Sequence, residues 1–392
     1  MSKTPKSSFS FQNSYFHLKF FFDQNLDFVL GFYVNDEKIK LVGVNRHDMT
    51  AYGIPTVEDY QRDLDLLLTA GVNFVRGAHY QQDLRWLDML DDAGIMVWEE
   101  PVSWQATIEE LEDGPFVARQ IKLIQSMIES SGNHPCIIVW GFLNEAASEW
   151  EEAGNAYATL SQAVKSRDES RLITWATNKG QYDQHVSKYA DFVSINDYSG
   201  WYWHTLADVP KVWQSFARWA RSNGQVAIIS EVGAGSIPED AYESAIAAGL
   251  NNTLAPCTKW TESYQSMVVQ VQTITVLWDS EDSDVHSMHG ITHWQFTDTY
   301  TNHDHYTPDK RPRGLNNKGL VTIRRQPKRA FHEFGRLVKS WRAGETPTLR
   351  VPSDCDLDGN PDLKGLTDAF FVPVQFEQTV VCSDPTQCVL EE

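Results

Sequence analysis

The chain has 392 residues, 42% of them hydrophobic, which is enough for one large core with appendages or for two ordinary domains. Its formal net charge of −20 argues against nucleic acid and anionic membrane surfaces as partners. The 14 Trp, 14 Tyr and 19 Phe exceed what a core needs and leave aromatics for an apolar or sugar-stacking pocket.

In chain order, residues 1–31 read as an N-terminal segment, partly disordered. Met1–Ser14 is rich in Ser and Lys, and the aromatic run Tyr15–Phe32 is interrupted by Lys19, Asp23 and Asp27. That run is neither a signal-peptide core nor a membrane span, so a soluble protein of undetermined compartment is expected. Phe32-Tyr33-Val34 and Ile39–Val44 flank Asn35-Asp36-Glu37-Lys38, a hairpin signal that leads into Asn45-Arg46-His47. Val57, Tyr60, Leu64, Leu67 and Leu68 form a helical stripe, with Thr56 as N-cap and Gly71 as stop.

From there strand and helix patterns alternate. Strands are expected at 72–76, 95–101, 136–145, 172–175, 192–196, 226–231 and 290–296. Helices are expected at 84–92, 117–129, 147–167, 211–221, 261–279 and 327–340. Counting from Leu41 gives eight strands, and eight βα units predict a closed (β/α)8 barrel, a TIM barrel of the α/β class, within residues 32–342. The remainder, 343–392, reads as an irregular acidic tail.

The polar residues gather at strand carboxyl ends: His47, Arg76 with His79, Glu99 with Glu100, Asn144 with Glu145, Asn196 with Tyr198, Glu231 and Trp294. In a barrel that end is where a site is assembled. An acid cannot sit cheaply inside a strand covered on both faces, so Glu145 belongs at the mouth. The competing reading is that Asn144-Glu145 only caps the next helix. Glu145 and Glu231 end the fourth and seventh strands, and two facing carboxylates are what glycoside hydrolysis needs. One gives a proton and the other attacks, so their environments must differ. Asn144 can bind a substrate hydroxyl. Arg76 can hold the nucleophile ionised. Tyr198 can donate to it, and Trp294 offers a flat face to a sugar ring.

Competing chemistry is weak. GxSxG, CxxC, HExxH and GxGxxG are absent, and no cofactor is expected. His286, His289, His293, His303 and His305 read as a polar loop before a metal site. Asp354, Asp356, Asp358 and Asp362, with Gly359, have calcium-loop spacing, but Gly365 stands where the bidentate Glu belongs, so a solvated turn is the first reading. Five cysteines establish no framework. Cys136 reads as a buried thiol, Cys257 as a loop residue, and Cys382–Cys388 as a candidate tail pair. Asn251-Asn252-Thr253 is a glycosylation triplet of a kind common by chance.

Several stretches together resemble the catalytic barrel of glycoside hydrolase family 2, home of β-galactosidases, β-glucuronidases and β-mannosidases. They are Val42–His47, Phe74–Tyr80, His134–Glu145, Ile229–Ala234 and Trp294–Asp298, in the family's order, over about residues 32–341. The resemblance implies Glu145 as acid/base and Glu231 as nucleophile of a retaining double displacement. Asn196-Asp197-Tyr198-Ser199-Gly200-Trp201-Tyr202 looks like a β-glucuronidase loop, and Asn316-Asn317-Lys318-Gly319 like the Asn-x-Lys element that grips a uronate carboxylate. A lysine beside an amide can do so by charge-assisted hydrogen bonds. Arg311 or Arg313 could add a cation. His47, His79, Asn196, Trp201, Tyr202, Asn316, Lys318 and Arg313 are therefore expected to line a carbohydrate site. Family members normally carry β-sandwich and immunoglobulin-like domains ahead of the barrel, whereas here about thirty residues precede it. The expectation is a retaining exo-β-glycosidase, β-glucuronidase first. The alternatives are a β-galactosidase and a truncated, non-catalytic carbohydrate-binding barrel. A homo-oligomer is compatible with the sequence and not determined by it.

Overall fold

The computed structural model describes residues 16–21, 29–179, 184–238, 255–278, 288–301, 311, 314–369, 372–377, 380–384 and 387–390. The chain divides into two compact units. The first comprises Met1–Asp197, Trp213–Val232 and Asp279–Phe296, and the second Tyr198–Val212, Gly233–Trp278 and Thr297–Glu392.

The first unit begins with a three-stranded antiparallel sheet, β1 (Phe16–Phe21), β2 (Val29–Val34) and β3 (Glu37–Ile39). Asn35 and Asp36, with φ of 51° and 68°, make a two-residue turn of left-handed residues, whose twist matches the right-handed twist of the flanking strands. The hairpin is thus tighter than the sequence suggests. Leu41–Val44 is not its second arm: Leu41–Arg46 (β4) is a barrel strand, paired in parallel with its neighbours.

Eight parallel strands close the barrel: β4, β5 (Phe74–Gly77), β6 (Met96–Glu99), β7 (Ile137–Asn144), β8 (Leu172–Thr177), β9 (Val193–Asn196), β10 (Ala227–Val232) and β11 (Gly290–His293). The predicted fold class holds. Nearly every strand residue is buried, because parallel strands are covered on both faces. Interior space is tight at Gly141, where a Cβ would lie 2.2 Å from Trp98 Nε1 and 2.8 Å from Glu100 Cγ.

The helices of this unit are α1 (Val57–Ala70), α2 (Leu84–Ala93), α3 (Ile108–Glu112), α4 (Gly114–Ser131), α5 (Gly154–Lys165), α6 (Gln184–Ser187) and, from Trp213 on, α7 (Val209–Ser222). Thr56 caps α1 through a capping box with Asp59, and Gly71 closes it at φ 77°. The fifth helix starts at Gly154 rather than near 147. Residues 145–150 are a loop, so Asn144-Glu145 caps nothing.

The second unit is built on α8 (Glu262–Leu277) and α9 (Arg329–Arg342), which pack against each other. Almost every residue of α8 is buried, including Gln265, Gln270 and Gln272. Each of these amides donates to a backbone carbonyl: Gln265 to Ala234 and Gly319, Gln270 to Arg350, and Gln272 to Ser199. A helix hydrophilic at those positions can be buried only because the bonds are made. Cys257, the loop residue, forms a disulfide with Cys355 across 98 residues. Cys382 and Cys388 face each other as backbone partners in a tail hairpin, Val380–Asp384 with Gln387–Leu390. Among the described residues no helix is long and apolar enough to cross a membrane.

Candidate active site

Arg76, at the end of β5, is wholly buried. Its guanidinium donates through Nε to Glu100 Oε1 (2.8 Å), through Nη1 to Glu231 Oε1 (2.8 Å) and Asn45 Oδ1 (2.9 Å), and through Nη2 to Asn144 Oδ1 (2.7 Å). Trp98 covers it, 4.6 Å from the ring centroid. Residues from five strand ends, β4, β5, β6, β7 and β10, are thus tied to one planar cation. Lysine could not replace this fork.

Glu231 is buried and also lies 3.5 Å from His79 Nε2. Burial is the largest influence on its carboxyl and pushes its pKa above the usual range. Arg76 and His79 oppose that shift and the charge of Glu145 adds to it. Arg76, expected to favour the ionised carboxyl, acts in that direction, and burial is the larger influence. Glu100 ends below its usual range, because Arg76 and His79 together outweigh its burial.

Glu145 follows β7 with φ 49°, a left-handed conformation that costs a non-glycine residue on the order of 1 kcal/mol or more. Its Oε1 accepts from Asn196 Nδ2 (3.0 Å) and its Oε2 from Gln105 Nε2 (3.2 Å). Asn196 also donates to Asn144 Oδ1 and accepts from Ser230 Oγ. Both ring faces nearby are histidine and tryptophan: His79 stacks on Trp294 at 5.1 Å, and His47 meets Trp294 edge-on at 5.2 Å. Burial, then His79, Arg46 and Arg76, push His47 down to about 3, so it is a neutral imidazole.

Of the expected site residues, His47, Arg76, His79, Asn144, Glu145, Asn196, Glu231 and Trp294 stand together at this mouth. Tyr198, Trp201, Tyr202, Asn316 and Lys318 belong to the second unit and gather around Lys318. Its ammonium donates to Tyr202 Oη (2.7 Å) and lies 4.8–5.8 Å from the ring centroids of Tyr198, Trp201 and Tyr202. Burial would raise the Tyr202 phenol, but Lys318 and then Arg311 bring it below its usual value. The Lys318 loop is held by Lys328, which the sequence did not single out. Its Nζ donates to Asp298 Oδ1 (2.8 Å), Ser236 O and Asn317 O, while Asp298 Oδ1 accepts from Gly319 N (2.9 Å).

Arg313, His286, His303, His305 and the Asn251 triplet lie outside the described residues. His289 and His293 are buried. In the calcium-like loop, Asp356 accepts from its own turn at Asp358 N and Gly359 N, and Asp362 pairs with Lys259 at 3.8 Å. The loop's carboxylates do not converge. Among the described residues, the acidic and histidine side chains close enough to share an ion are Asp88, Asp91 and His134, at the opposite end of β7. Asn45, Gln105 and Lys328 escaped the sequence argument. Asn45 stands within the stretch Val42–His47 but has no role assigned by it, Lys328 lies in a polar stretch, and Gln105 sits in a loop without periodicity.

Comparison with known proteins bears on the family and the fold. β-Glucuronidase of Felis catus is 27% identical over 341 residues, 84% of this chain and 48% of that protein. β-Glucuronidase of Mus musculus is 26% identical over 306 residues, 76% of this chain and 43% of that one. The chain thus spans about half the length of the curated relatives it matches. A crystal structure of a GH2 β-galacturonidase from Eisenbergiella tayi bound to glycerol superposes with a TM-score of 0.72 at 28% identity, over 83% of this chain and 54% of that one. Residues 30–341 match the family described as glycosyl hydrolases family 2, TIM barrel domain, and the chain belongs to that family.

Proposed function

We propose that the chain is a retaining exo-β-glycosidase acting on β-hexuronides, with β-glucuronides first. The observation that carries the reading is Glu231 gripped by Arg76 at the barrel mouth, with its carboxyl influenced by the charge of Glu145. In the first half-reaction the Glu231 carboxylate attacks the anomeric carbon. The glycosidic bond breaks, and the departing oxygen takes the proton of Glu145. In the second, Glu145 takes a proton from water, whose oxygen attacks the same carbon and releases Glu231. Two displacements keep the β configuration. Asn144, fixed by Arg76, presents its amide to a substrate hydroxyl.

Lys318 supports uronide selection, since a buried ammonium already sharing a phenol is suited to a carboxylate. The β-galacturonidase likeness favours a second reading, a β-galacturonide with the opposite C4 configuration. A panel of aryl β-glucuronide, β-galacturonide, β-galactoside and β-glucoside, assayed on purified protein, separates these. Lys318→Ala should lose roughly 100-fold or more in kcat/KM on the preferred uronide and little on neutral glycosides. Unchanged uronide turnover would remove Lys318 from the reading. A 2-fluoro glycoside should label Glu231 and leave Glu231→Ala untouched. No mass shift on the native chain would leave a non-catalytic carbohydrate-binding barrel.

A further inference from the structure

Gln105 lies in the loop between β6 and α3, is exposed, and has φ 53°. It is a left-handed residue facing another left-handed residue, Glu145 at φ 49°. An unbranched non-glycine side chain gains nothing locally from that conformation, so tertiary contacts hold it there. Those contacts are on both sides of the acid. Gln105 N donates to Asn144 O at 2.8 Å, and Ala147 N donates to Ala106 O at 2.9 Å. The loop is stitched to the chain immediately before and after Glu145.

The side chain completes the arrangement. Asn196 Nδ2 holds one oxygen of Glu145 and Gln105 Nε2 holds the other. Asn196 is itself fixed by Asn144 and Ser230. Donors on opposite oxygens set the torsion of the carboxyl plane, which a single donor leaves free to turn. A carboxyl that must deliver a proton to one atom and later take one from water depends on that torsion, because a misplacement of about 1 Å costs about 100-fold.

We infer that Gln105 is a positioning residue that fixes the carboxyl plane of Glu145 for proton delivery to the leaving group. This rests on the reading of Glu145 as acid/base. The test uses the full chain and two substrates with one sugar, phenyl β-glucuronide and 2,4-dinitrophenyl β-glucuronide. The second leaves without proton assistance. Gln105→Met keeps the volume and removes the donor, and Gln105→Ala removes both. In each variant kcat/KM should fall roughly 10- to 100-fold on the phenyl substrate and less than about threefold on the dinitrophenyl substrate, with KM little changed. Thermal melting of the variants should match the parent. Equal losses on both substrates, or no loss on either, would overturn the inference while leaving the glycosidase reading intact. With a parent that prefers galacturonides the same pair of leaving groups is used on that sugar, and a parent that hydrolyses neither uronide would overturn both readings.

Discussion

The densest concentration of chemistry is one guanidinium. Arg76 neutralises Glu100 and Glu231 and orients Asn45 and Asn144, so removing it strands two buried carboxylates. Arg76→Met should cost about 3–5 kcal/mol of stability at pH 7 and abolish turnover. The stability loss should shrink toward pH 4, where protonation of the stranded acids relieves it. Urea titration at the two pH values checks this, and a pH-independent loss would contradict it. Glu99 presents the opposite case, an acid on β6 with no ion pair within 4 Å among the described residues and only the more distant Arg171 favouring its charge. Its Oε1 accepts from Gln82 N at 3.0 Å, but burial dominates and pushes it up to about 7. The folded chain therefore binds this proton more tightly than the unfolded chain does. Stability is full below the ordinary carboxylate range, falls as pH rises toward 7, and stays low above it. Glu99→Gln keeps an acceptor for Gln82 N without the charge. It should match the parent near pH 4 and exceed it at pH 8 by up to on the order of 3 kcal/mol. A constant difference in melting temperature across pH would count against the assignment.

At the scale of elements, the strands of the barrel were readable because apolar runs of four to eight residues bounded by Gly, Pro and polar clusters leave little alternative. Their polar ends were readable for the converse reason: a charge in such a run is tolerated only where the strand stops. The helix after β7 was misplaced because Ala146 to Glu152 has helical composition. The backbone reversal at Glu145 and the bond from Ala147 N to Ala106 O forbid it. The Lys318 loop shows the same limit. Its lysine is visible in sequence, but what fixes the loop is Lys328 with Asp298, drawn from distant positions. Burial is the largest influence on Asp298 and raises it to about 6, against the pull of Lys328. Lys328→Met should loosen the loop, raising KM for the uronide roughly tenfold or more while sparing neutral glycosides. A uniform loss of activity would indicate unfolding instead, which a melting curve detects.

At the scale of the whole molecule, the two units differ in how they are held. The first is built on a closed barrel, whose eight strands each have two neighbours. The second leans on two packed helices, buried amides and the Cys257–Cys355 link. Closing a loop of 98 residues is worth on the order of 4 kcal/mol in the chain-entropy view. Cys257→Ser with Cys355→Ser should therefore lower the melting temperature by several degrees, and mild reductant should do the same to the parent. Insensitivity to both would remove the disulfide from the account. Neither treatment acts on the Arg76 network, which contains no sulfur.

Sequence by itself determined the alternation, the number of strands, and the presence of a carboxylate at the ends of the fourth and seventh. These follow from local periodicity and from the cost of burying charge, both properties of short stretches. Tertiary structure alone decided the partners. It put Glu100, Glu231, Asn45 and Asn144 on one arginine, made burial outweigh that arginine at Glu231, bent Gln105 and Glu145 toward each other, and joined Cys257 to Cys355. Such pairings join residues 24 to 155 positions apart, as Arg76 does with Glu100 and Glu231. No local pattern encodes them, because closing the barrel is what brings the strand ends within a hydrogen bond of one another.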